Sequence, residues 1–130
     1  MPGFTMQIHL IEETKIQMSD FEEDELEISL ETEAHYFGAM PMFVASLGRC
    51  TFAVLESYSM RLDLPVHDIS MELSWEYGSK PTRISDIEMD ICWPELPDKR
   101  VKAVERAAHL CTIHNTINQC VDIVTKVNAK

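Results

Sequence analysis

Cys50 sits in the middle of the most apolar stretch of the chain, PMFVASLGRCTFAVLESYSMRL over residues 41–62. Up to Leu55 this stretch is apolar or small at nearly every position, with Arg49 the main break. A thiol in such a place is either inert packing or guarded chemistry. Free Cys is among the most buried residue types, yet only an ionised, reachable thiolate attacks an electrophile or binds a metal. Cys111 is the second candidate, at the junction of two helical segments near the C-terminus. Its separation from Cys50 is too long for sequence alone to place the two in contact. Cys92 and Cys120 fall in or beside strands and read as small, half-buried packing residues.

Other reactive groups offer less. Cys111-x-x-His114, with His109 nearby, supplies two of the about four ligands that a structural zinc takes. No second paired motif completes it, so no metal and no cofactor is expected. His114 reads instead as a hydrogen-bonded residue of the helix junction, or as a polar group beside a thiol pocket. Nothing resembles a nucleophile elbow or a phosphate-binding glycine loop, and the chain has only four Gly. That argues against a serine hydrolase and against nucleotide chemistry.

The thiols need elements to position them. Met6, Ile8 and Leu10 alternate with polar residues, as do Ile16 with Met18, and Leu26, Ile28 with Leu30. This period of two predicts three strands, each with one wet and one buried face. Turn residues 12–14 and an acidic turn over residues 19–24 separate them, which predicts an antiparallel meander. Residues 41–62 are predicted as a helix buried on nearly all sides, with Pro41 near its start and Asp63 and Pro65 ending it. Strict alternation then predicts a hairpin, one arm carrying Ile69, Met71, Leu73, Trp75 and Tyr77, the other Ile87, Met89, Ile91 and Trp93. An amphipathic helix capped at Asp98 follows, with Val101, Val104, Ala108 and Cys111 on its apolar side. A second helical piece over residues 112–119 and a strand with Val121, Ile123, Thr125 and Val127 close the chain. The expected fold is α+β in the order β-β-β-α-β-β-α-α-β, mostly antiparallel, as one domain over residues 1–130.

Charge narrows the partners. The net charge of −11 argues against nucleic acid and against an anionic membrane surface. Ten acidic residues fall between Glu12 and Glu33 with Lys15 the only cation among them, a pattern most simply read as a solvated face. The N-terminus MPGFTMQIHLIEE lacks the basic start and long apolar run of a signal peptide. No run approaches the ~18 consecutive apolar residues of a membrane helix. The expected location is the cytoplasm, where the four Cys would be reduced.

From about Gly38 onward the chain resembles the OsmC/Ohr family of thiol-dependent peroxidases. Three markers carry the resemblance: the small-residue-rich helix MPMFVASLGRCTFAVL with the first family Cys, here Cys50; the alternating hairpin; and CTIHNTINQCVDIVTKV, where the second family Cys, here Cys111, opens a short helix before the last strand. The resemblance implies an intertwined homodimer with central helices wrapped by sheets. It also implies two-Cys chemistry. Cys50 would reduce a hydroperoxide substrate and become a sulfenic acid, Cys111 would resolve it as a disulfide, and a cellular dithiol would reduce the pair. The family's Arg and Glu that hold the first Cys do not carry over. The approach here reads Met40-Pro41-Met42, no acid occurs between Glu33 and Glu56, and Lys15 is the only cation before Arg49. Two other readings follow from that departure: a non-enzymatic OsmC-like protein that binds a small apolar molecule, and a thiol redox sensor.

Overall fold

The structure is a computed structural model and describes residues 6–21, 25–31, 36–66 and 68–129. Strands β1 (Met6–Glu12), β2 (Lys15–Ser19) and β3 (Leu26–Leu30) precede the long helix α1 (Ala39–Leu62). Strands β4 (Ser70–Gly78) and β5 (Arg83–Cys92) follow, then α2 (Val101–Ala108), α3 (Thr112–Ile117) and β6 (Asp122–Asn128). The six strands form one sheet in the order β3-β1-β2-β4-β5-β6. Part of the acidic turn expected over residues 19–24, namely residues 22–24, lies outside the described residues.

The sheet is mixed, which corrects the expectation of an antiparallel meander. β1, β2, β4 and β5 pair antiparallel. β3 instead runs parallel to β1, with Met6 opposite Leu26, Ile8 opposite Ile28 and Leu10 opposite Leu30. The reason is that β2 has no free edge to offer. β4 occupies it, matching Ile16 with Leu73 and Met18 with Met71. At the far edge β6 runs parallel to β5. A parallel neighbour needs a crossover connection, and α2 and α3 are that crossover. They bring Cys111 over the same face of the sheet that α1 covers.

The core lies between this sheet face and the helices. Ile8, Leu10, Ile16, Met18, Met71, Leu73, Met89 and Ile91 rise from the strands, one every second residue, as a pleated strand requires. α1 meets them with Val44, Leu47, Phe52 and Leu55, all at most 1% exposed. Gly48 lets α1 approach closely, since a Cβ there would lie 2.7 Å from Met18 Sδ and 3.4 Å from Leu73. Phe21, after β2, stacks on Phe52 with ring centroids 4.8 Å apart. Trp93 is buried and donates from Nε1 to the Pro65 carbonyl at 2.9 Å, tying the end of β5 to the loop after α1. Glu105 accepts the Val127 N–H at 2.9 Å and so joins α2 to β6.

Two expectations fail in an informative way. α1 is not buried on nearly all sides: its inner stripe is covered, while Met42 and Met60 are 59% and 77% exposed. By length and mean hydropathy α1 would pass for a membrane-spanning helix, although its inner stripe belongs to the core of this fold. β3 likewise has no buried face. Leu26, Ile28 and Leu30 are 50%, 44% and 40% exposed, because they extend the core side of the sheet past the edge that α1 covers. A smaller correction concerns Asp98, which opens a 3₁₀ turn (Asp98–Arg100) rather than capping α2. The α2 N-cap is Arg100, without a side-chain cap. At the other end of α1, Asp63 adopts the left-handed conformation (φ 55°) and its N–H bonds the Ser59 carbonyl, a helix stop that uses the residue expected.

Candidate functional site

α1 carries Cys50 near its midpoint, on the side that faces α3 rather than the sheet. Cys111 sits at the N-cap of α3 in extended conformation (φ −61°, ψ 135°), where its Sγ accepts the His114 N–H at 3.4 Å. This is the geometry of a Ser or Asp cap with sulfur in the place of oxygen. Cys111 is fully buried and Cys50 half-buried, and both are free thiols. The fold thus brings together two residues that the sequence left far apart, and the two side chains interact directly.

Their electrostatics differ in sign. Burial pushes the Cys50 thiol up, but three donors and one charge oppose it. They are the Cys111 thiol, the backbone N–H groups of Ile113 and Thr112, and at longer range the Arg49 charge; the net result is a pKa below the ordinary thiol value. The two amides belong to the first turn of α3, where backbone N–H groups have no partner within the helix. A thiolate is the partner they favour. Cys111 moves the other way. Burial and the neighbouring Cys50 sulfur raise its pKa, against the opposing His114 N–H. Thr51 Oγ1 lies against the Cys111 sulfur without forming a hydrogen bond of proper geometry, and it is a buried hydroxyl with no partner. One sulfur is therefore biased toward thiolate and its neighbour toward thiol, the division of labour that an attacking and a resolving cysteine require.

Arg49 acts through charge and not through contact. Consecutive helical residues point in different directions, and its guanidinium lies over the Phe52 ring, 5.6 Å from the centroid. Arg49 also borders an apolar cleft of about 230 Å³ lined by Met6, Ile8, Met18, Leu26, Phe37 and Met42 among others. Cys92 and Cys120 are half-buried and exposed, without a disulfide. The Cys111-x-x-His114 pair gains no third ligand. Among the described residues no three His, Cys, Asp or Glu side chains are grouped to hold a metal. His114 is buried, with Nδ1 unpartnered, and its ring stacks on His109 at 4.3 Å and 16°. Stacked rings aim their in-plane lone pairs along parallel directions, which do not converge on one ion.

The amides of Thr112 and Ile113, the Thr51 hydroxyl and the imidazole stack were not foreseen from the sequence. A capping signal was there to read: a Cys followed by a short helical run places free N–H groups beside whatever faces that sulfur.

This mixed sheet with a long helix and a two-helix crossover can be compared with known proteins. The sequence profile described as OsmC-like protein matches residues 31–126, and the chain belongs to that family. Solved structures agree at the level of the fold. An organic hydroperoxide resistance protein of Legionella pneumophila superposes with a TM-score of 0.64 at 18% identity, over 75% of this chain and 73% of that one. A hypothetical protein of Aquifex aeolicus gives 0.63 at 16% identity, over 100% and 98%. An OsmC-like protein of Mycoplasma pneumoniae gives 0.62 at 15% identity, over 99% of both chains. No curated protein matches the sequence.

Proposed function

We propose that this protein is a thiol-dependent peroxidase that reduces hydroperoxides through Cys50 and Cys111. The observation that carries the reading is the facing thiol pair, with α3 amides directed at Cys50 and its pKa lowered while that of Cys111 is raised. The Cys50 thiolate attacks the distal oxygen of a hydroperoxide. The O–O bond breaks, the alcohol leaves after taking a proton, and sulfur is oxidised by two electrons to a sulfenic acid. Cys111 then attacks that sulfur. An S–S bond forms, the S–O bond breaks, and hydroxide leaves as water with the proton that Cys111 gives up. A dithiol returns both sulfurs to thiols by exchange, which fits a reducing compartment such as the cytoplasm. In this reading the amides of Thr112 and Ile113, helped by the Arg49 charge, take over the ionising part of the family's missing Arg.

The same reading makes the protein a homodimer. Leu26 and Ile28 on β3 and Met42 on α1 line the Arg49 cleft while partly exposed, and Leu30 and Met60 add further exposed apolar surface on the same two elements. A second copy would cover it and turn the cleft into an apolar pocket, suited to an organic hydroperoxide. That cleft also favours a second reading, a binding protein for a small apolar molecule with inert thiols.

Turnover decides between them. With an organic hydroperoxide and a dithiol reductant in excess, the wild type should consume peroxide continuously. Cys50→Ser should fall to background, and Cys111→Ser should lose the internal disulfide and turn over more slowly, through direct attack of the reductant on the Cys50 sulfenic acid. Peroxide consumption indifferent to both substitutions would rule out the peroxidase.

A further inference from the structure

The peroxidase reading assigns no role to His109 and His114, which flank the resolving cysteine two residues before it and three after. We propose that the stacked rings of His109 and His114 are the clamp that holds Cys111 in reach of Cys50, His109 and His114 acting as positioning residues. The inference rests on the Cys50–Cys111 pair of the reading above and deepens it.

The geometry makes the clamp. α2 ends at Ala108, and the chain turns through His109 and Leu110 before Cys111 caps α3. Leu110 is 68% exposed, and the turn itself is tied by backbone bonds to the end of α2, from the His109 N–H to the Arg106 carbonyl and from the Leu110 N–H to the Ala107 carbonyl. What fixes it against the rest of the fold lies on either side. His109 Nε2 bonds Thr125 Oγ1 on β6 at 3.2 Å. Its ring stacks against that of His114, 4.3 Å away. His114 in turn is buried and sends its backbone N–H to the Cys111 sulfur. Sheet, α2 end, α3 and thiol are thus joined in one chain of contacts. The His114 Nδ1 has no hydrogen-bond partner, so that nitrogen does not hold the ring in place; packing, the stack and an interaction with the Asn115 side chain do.

Such a clamp matters because a disulfide is geometrically strict. Its Cα atoms must lie within about 4.4–6.8 Å, and a misplacement of about 1 Å between reacting groups can cost on the order of a hundredfold in effective concentration. Loosening the corner would leave Cys50 and its helix in place while Cys111 drifts.

The test reads the equilibrium of the pair and needs no peroxide. The fully reduced protein is incubated in glutathione buffers of graded composition, and the Cys50–Cys111 disulfide is quantified by alkylation and mass spectrometry. The effective concentration of Cys111 toward Cys50 should fall by about tenfold or more in His114→Ala and in His109→Ala. His114→Phe, which keeps a stacking ring without the nitrogens, should recover most of it. Thermal melting of each variant separates a moved corner from an unfolded chain. An equilibrium unchanged in both Ala variants would overturn the clamp, as would a Phe variant as poor as Ala while still folded. If the pair responds to the variants but the wild type ignores hydroperoxides, the clamp stands and the peroxidase reading falls. If the wild type turns over and the variants match it, the clamp falls alone. A wild type that forms no Cys50–Cys111 disulfide in any buffer contradicts both.

Discussion

The two facing sulfurs of this chain are biased in opposite directions. Burial alone would raise both thiols; what separates them is the direction of the hydrogen bond between them. Cys50 accepts from the Cys111 thiol and from two α3 amides, whereas Cys111, although it accepts the His114 N–H, donates to Cys50 and is held protonated by the neighbouring negative charge. A lowered pKa means that the thiolate appears at lower pH, so Cys50 should be alkylated by iodoacetamide with a midpoint below that of Cys111. With rising pH, Cys50 turns on first. Arg49→Gln should move the Cys50 midpoint upward, toward an ordinary thiol, and leave that of Cys111 nearly fixed. Mass-spectrometric alkylation profiles against pH check both statements, and identical midpoints for the two thiols would contradict them. At this scale the two cysteines were marked out by their helical segments and by the family resemblance, since a Cys in an apolar helix is by itself an ordinary packing residue. Their partners were not. Backbone amides carry no sequence signature, and the contact between residues 50 and 111 depends on a crossover that no local pattern encodes.

Among the elements, α1 does two jobs that the sequence blends together. Its apolar residues are spread around the helix, but only the stripe through Val44, Leu47, Gly48, Phe52 and Leu55 meets the sheet. Gly48 sets the depth of that contact. A larger side chain must displace Met18 and Leu73, both fully buried, and overpacking of this kind costs about 1–3 kcal/mol. Gly48→Val should therefore lower the unfolding free energy by about 2 kcal/mol in urea titration; an unchanged midpoint would mean that the helix stands further from the sheet. The elements themselves were readable from period and turn chemistry, the β4–β5 hairpin best of all. What failed was pairing. Period two says which face of β3 is apolar and nothing about which edge it joins, so a meander was expected where β3 crosses to lie parallel to β1. Helix coverage was misjudged for a related reason: a run of apolar residues signals burial but not on how many sides of the helix.

For the whole molecule, that leftover apolar surface is the main unspent feature. Leu26, Ile28 and Leu30 continue the core face of the sheet into solvent, and Met42 and Met60 stand out from α1. Burying the exposed part of such side chains gains a fraction of the about 1.5–3 kcal/mol that each is worth when fully covered, which works against the cost of association. Analytical ultracentrifugation should find a dimer of the 14.9 kDa chain, and Ile28→Asp should shift it toward monomer. A wild type that sediments as a monomer at all concentrations would refute the dimer.

One measurement bears on the central claim most directly. The reduced protein receives one equivalent of an organic hydroperoxide, is alkylated within seconds, and its thiols are mapped by mass spectrometry. The account predicts a fast and selective Cys50–Cys111 disulfide, with Cys92 and Cys120 still alkylated. Thiols that all stay reduced, or four cysteines that oxidise slowly and alike, would contradict it.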